Sequence, residues 1–153
     1  MSADEILNRL RASGGLIRLF GIEHEVTSSE IVFRMPIEER HTGRPGAAHG
    51  GAVMTLMDTA LGGTALVHAV ERGLTVSTVE LKVNFLRPAQ LGTVLESTAE
   101  IQSAGRSLIV LSGHAVDSRG ERIAYAVGTF MLFSPERVEN LAAAPSPDRS
   151  EGV

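Results

Sequence analysis

The chain has 153 residues, no cysteine, and 14 basic against 18 acidic side chains, a formal charge of −4. One domain of ordinary size is expected, and 43% apolar composition supplies a core without staples. The missing cysteines exclude a disulfide framework, a thiolate metal cage and a cysteine nucleophile. Scattered arginines with one lysine, Lys82, give no basic stripe for nucleic acid.

Taken in chain order, MSADEILNRL has no apolar leader-like run, so no secretory signal is expected and a cytoplasmic location fits. Ser2 with Glu5 reads as a capping box opening a short helix with Ile6, Leu7 and Leu10 on one side, stopped by Gly14 and Gly15. Residues 22–26 and 31–37 are strand-like, joined by a turn at Ser28 and Ser29. A loop from His41 to Ala48 follows, carrying Gly43, Pro45 and Gly46.

Residues 50–70 are apolar nearly all round, with Asp58 and His68 as the strongly polar exceptions. The length suits a membrane span. A mid-segment carboxylate opposes insertion, so the segment is expected to be a helix enclosed by protein, with no membrane partner. Four strands predicted at about 75–87, 93–102, 108–111 and 122–133 would enclose it. In the first, Val79, Leu81, Val83 and Phe85 alternate with Thr78, Glu80, Lys82 and Asn84. In the last, Ala124, Ala126 and Gly128 share a face on which a helix can lie close. The expected class is α+β, an antiparallel sheet wrapped around one long central helix in a single domain of residues 1–133. Residues 134–153 are expected to be a disordered tail.

Asp58 has Met54, Thr55, Leu61 and Gly62 at helical spacing and no counter-charge along the helix. A buried carboxyl there would have a raised pKa and suit general-base or nucleophilic chemistry; alternatively, Thr55 and Asp58 form a capping box at a helix break. His49, Gly50 and Gly51 stand at the predicted helix start, where free N–H groups favour an oxyanion, although the histidine could simply cap the helix. His24, His41, His68 and His114 lack metal-ligand spacing, and neither a metal nor a cofactor is expected. Arg87 and Arg106, at strand ends, could meet phosphates.

The run HGGAVMTLMDTALG, followed by STVELKVNFLRPAQLG, SAGRSLI and AVGTFMLF, resembles the hotdog-fold acyl-CoA thioesterases of the phenylacetate-pathway type over about residues 20–133. The resemblance implies homodimers that often pair into tetramers, and metal-free hydrolysis of acyl-CoA. It implies Asp58 as base or nucleophile, the Gly50 amide as oxyanion donor, His49 beside the thioester, and Thr78 as a hydroxyl positioning water. Arg87 with Ser103, Gly105 and Arg106 would line the CoA path. Two positions depart from the pattern. Gly43 stands where many relatives carry an amide side chain, with His41, Thr42 or Arg44 as possible substitutes, and Gly62 stands where some carry a hydroxyl. An enoyl-CoA hydratase or dehydratase on the same fold, or a non-catalytic acyl-CoA-binding protein, are the alternatives.

Gly50 and Asp58 are eight residues apart, about 12 Å of rise on a continuous helix, and point about 80° apart around its axis. One thioester carbon cannot easily meet both on the same helix. A two-fold dimer in which one subunit supplies the donor and the other the carboxylate is therefore expected.

Overall fold

The computed structural model describes residues 1–136; most of the predicted tail, residues 137–153, lies outside the described residues. Helix α1 (Ala3–Ser13) opens on the predicted capping box: the Ser2 hydroxyl accepts from the Glu5 N–H, and the Glu5 carboxylate accepts from the Ser2 N–H. Gly14 ends α1, but a second helix, α2 (Gly15–Leu19), follows at once, where the glycine pair was expected only to stop the helix. Then come β1 (Glu23–Val26), β2 (Ile31–Pro36), a one-turn 3-10 helix (Glu39–His41), and a small hairpin of β3 (Thr42–Arg44) and β4 (Ala47–Ala48) within the predicted loop. Helix α3 (Gly50–Val70) matches its predicted span. It leads into β5 (Thr75–Phe85), β6 (Val94–Ala104), β7 (Leu108–Val116) and β8 (Arg122–Phe133).

Six strands form one antiparallel sheet in the order β1-β2-β6-β7-β8-β5. Helix α3 packs against β2, β5, β6, β7 and β8, so the sheet encloses it as its all-round apolarity requires. Close approach depends on missing side chains. A Cβ on Gly113 would stand 2.7 Å from Leu61 and 2.6 Å from the Thr98 carbonyl oxygen, and one on Gly128 would stand 3.1 Å from Leu61. On the helix itself, a Cβ on Gly63 would come within 2.5 Å of Phe33. Leu61, Ala124 and Ala126 are fully buried, as the small-residue face of β8 predicts.

The buried polar side chains have partners. Ser97 donates to the Met57 sulfur at 3.5 Å. Asp117 closes the turn between β7 and β8 by accepting from the Arg119 and Glu121 N–H groups and from the Arg119 guanidinium. Burial opposes its ionisation, but these donors outweigh it and hold the carboxyl below its ordinary range.

Strand β5 corrects the predicted alternation. Thr78 pairs with Phe130 and Glu80 with Thr129, leaving Val79 as an extra residue in a β-bulge. Thr78 therefore shares the inward face with Leu81 and Val83, opposite Gly128 and Ala126, while Val79 turns out and is 56% exposed.

The sheet–helix fit predicts that Gly113→Ala lowers unfolding stability by about 1–3 kcal/mol through overpacking. Gly15→Ala, with nothing near its would-be Cβ, should change it little. Urea titration of both variants checks this; equal stabilities would refute the close-approach account.

Candidate active site

The unbroken helix α3 carries Asp58 near its middle, in a groove towards β5. The carboxyl is half-buried there, not sealed in the core, and it accepts a hydrogen bond from the Thr78 hydroxyl at 2.9 Å. The β5 bulge brings Thr78 to that side. Thr55 donates to the Gly51 carbonyl at 2.9 Å, so the Thr55–Asp58 capping box is absent and the helix runs straight past the acid. Leu16 of α2, Met54 and Leu81 complete the local lining.

At the start of α3, His49 is the N-cap, and its Nδ1 accepts from the Gly51 N–H at 2.9 Å. The capping reading is thus correct for Nδ1. In the neutral ring this leaves the proton on Nε2, free to donate. The His49 N–H is tied to the His41 carbonyl at 2.7 Å. A Cβ on Gly43 would lie 2.6 Å from the His49 ring, so the imidazole occupies the space a side chain would need at that departing position. Among the described residues, the Gly50 N–H has no acceptor. Gly50 lines a cavity of about 310 Å³ together with Arg44, Phe85, Leu86, Arg87 and Pro88, among others. Arg87 is braced by the Glu121 carboxylate at 3.1 Å and the Arg122 carbonyl at 3.1 Å.

The predicted site residues fall into separate groups. Asp58 meets Thr78, and Gly50, next to His49, meets Phe85 at the end of β5 and shares a cavity with Arg87. The predicted turn from Ser103 is shorter than expected: Ser103 is still in β6, paired with Val110, and Gly105 and Arg106 make the turn at the far end of α3, where the Arg72 guanidinium donates to the Gly105 carbonyl at 3.0 Å. Of the three substitutes for the amide missing at Gly43, only Arg44 lines the cavity. Thr42 donates to the Glu39 carbonyl, and His41 is buried in a stack on Phe20. Phe85, whose ring would lie 3.3 Å from a Cβ on Gly50, and Leu16 have no local sequence signature as site residues: their positions depend on long-range packing.

The thioesterase superfamily model matches residues 45–124. The chain is 36% identical over 84 residues to a putative esterase of Caenorhabditis elegans, covering 55% of this chain and 48% of that protein. It is 31% identical over 83 residues to acyl-coenzyme A thioesterase 13 of Mus musculus, covering 54% and 58% respectively. The chain thus spans about half the length of these curated relatives. Among solved structures, the Escherichia coli PaaI protein of the phenylacetic acid degradation operon aligns with TM-score 0.78 at 20% identity, over 86% of this chain and 94% of that one. The architecture is accordingly the hotdog fold. A Bacillus halodurans protein solved with CoA aligns with TM-score 0.72 at 27% identity, over 86% of this chain and 83% of that one.

The loop ahead of α3 rests on His41. Burial, and secondarily the charge of Arg40, pushes its pKa below the ordinary value. The unfolded chain therefore binds more protons on the acid side: stability is present above about pH 6.5 and is lost as pH falls towards the folded pKa. Urea midpoints at pH 7.5 and 5.5 should show a drop that shrinks in His41→Gln. An undiminished drop would assign it to other groups.

Proposed function

The chain belongs to the thioesterase superfamily, and from that premise we propose that it hydrolyses acyl-CoA to free acid and CoA. The observation that carries the reading is the Asp58 carboxylate, held by Thr78 at 2.9 Å in an open groove. Thr78 engages Oδ1 and leaves Oδ2 to act on water or on the thioester carbon. Sulfur donates weakly into the carbonyl and leaves readily as thiolate, so the reaction needs a positioned oxygen nucleophile and an oxyanion donor more than a strong acid. Asp58 acts as base or nucleophile. The carbonyl oxygen, as it becomes an oxyanion, takes the Gly50 N–H, with the His49 imidazole beside it. As the C–S bond breaks, CoA leaves as the thiolate and takes up a proton; the acid departs directly where Asp58 has taken a proton from the attacking water, and after water hydrolyses the acyl–Asp58 anhydride where Asp58 itself has attacked. The CoA bound in the Bacillus halodurans relative supports this substrate class.

The roughly 12 Å between Gly50 and Asp58 on one helix supports a site shared by two protomers. Strand β5 ends the sheet and offers an open edge. Antiparallel self-pairing about Leu81 puts Glu80 of each protomer opposite Lys82 of the other, a complementary contact on the outward face. Met54, midway between Gly50 and Asp58, is 38% exposed and would lie at the same two-fold, so Gly50 of one copy approaches Asp58 of the other. The same pairing brings Arg87 of one copy towards the Thr75 end of the other.

Wild-type protein should release thiol from a saturated acyl-CoA, and Asp58→Asn should lower kcat by about two orders of magnitude or more. Near-normal thiol release by the variant would refute the role of Asp58. Hydration of a 2-enoyl-CoA without thiol release from the saturated one would replace the hydrolase with a hydratase, and tight binding without turnover would make the protein an acyl-CoA binder.

A further inference from the structure

Beyond Asp58 the groove continues as a cavity of about 390 Å³ between α3, β5, β8 and the short helix α2. Its long axis follows from the chain. On α3 the lining runs Asp58, Gly62, Leu66, one face of successive turns. On β5 it runs from Thr78 opposite the acid down to Thr75 at the far end. The polar pair, Asp58 and Thr78, thus marks one end, and Leu16, Ile17, Leu66, Val76 and Phe130 supply apolar walls. Among the described residues that line it, Asp58 is the only one with an ionisable side chain. Leu16, on a helix of five residues, is a large apolar side chain 57% exposed beside this cavity among the described residues.

Resting on the hydrolase reading, we propose that this cavity takes an uncharged, unbranched acyl chain of medium length, and that Gly62 and Leu16 set its specificity. The eight residues from Asp58 to Leu66 rise about 12 Å. A zigzag of C–C bonds of about 1.5 Å advances about 1.3 Å per carbon, so roughly eight to ten carbons fill that length. Gly62 lies halfway. A Cβ there would stand 3.2 Å from the Phe130 ring, so any side chain would project into the space between the helix and Phe130 and interrupt the channel. Leu16 forms the solvent-side wall, and a chain in the groove would cover it. A carboxylate on the chain would meet apolar walls and the charge of Asp58, with no basic lining residue to offset either.

S-alkyl-CoA thioethers, which cannot be hydrolysed, separate chain binding from catalysis. Calorimetry with ethyl, butyl, octyl and dodecyl-CoA should show wild-type affinity rising about two- to fourfold per methylene as far as octyl, and levelling off before dodecyl. Gly62→Val should flatten the rise beyond four carbons. Leu16→Ala alters an exposed wall and leaves the folded core intact; it should weaken octyl-CoA severalfold more than ethyl-CoA. Wild-type affinity independent of chain length, or a length dependence unchanged in both variants, would overturn the inference. Thiol release from octanoyl-CoA, measured in parallel, distinguishes the two readings. Length-dependent binding without release would refute the hydrolase and leave the chain groove standing, while release with length-independent binding would do the reverse.

Discussion

A helix of 21 residues that is apolar on almost every side has to be surrounded, and the rest of the fold follows from that requirement. A flat sheet would cover one stripe of it. A sheet of long strands curled around it covers most of the circumference, provided the backbones approach closely. Gly113 and Gly128 let Leu61 settle onto β7 and β8, and Gly63 lets Phe33 and Leu7 press onto the helix from the other side. What the sheet leaves uncovered is the strip containing Met54 and Asp58, facing the open edge at β5. The proposed chemistry sits where the enclosure is incomplete.

The bulge at Val79 decides what that strip meets. Strict two-residue alternation would put Thr78 on the outer face, away from Leu81 and Val83; one extra residue restores it to the inner face, within 2.9 Å of Asp58. The same residue shift turns Val79 outward, and its exposure is the cost of positioning the hydroxyl.

Much of this was legible in the sequence because it depends on local pattern. The span of α3, the Ser2–Glu5 box, the small face of β8 and the helix-start histidine are each written in neighbouring residues. The features that escaped depend on distant partners. The bulge arises from register against β8, and period-two reading of β5 alone cannot place it. Helix α2 begins at Gly15, the second of a glycine pair whose local meaning is a stop, and is held by Ile17 packing against the core. Asp58 is half-buried because β5 ends the sheet, whereas its apolar neighbours along the helix suggest enclosure. Gly43 makes sense as a departure from its relatives only once the His49 ring is seen to fill that space.

Within one protomer the proposed oxyanion donor, Gly50, and the proposed base, Asp58, stand eight residues apart on one unbroken helix, and neither rotamer changes nor loop motion can bring them together. The proposed site therefore calls for antiparallel apposition of two copies of α3. Complementation tests this most directly. Gly50→Pro removes the amide proton at a helix position that tolerates proline, Asp58→Ala removes the acid, and the two inactive proteins are unfolded together and refolded. Random pairing makes half the dimers mixed, each with one intact site of two, so about a quarter of wild-type activity should return. A mixture as inactive as its parents, with mixed dimers confirmed by size and mass, would contradict the shared site.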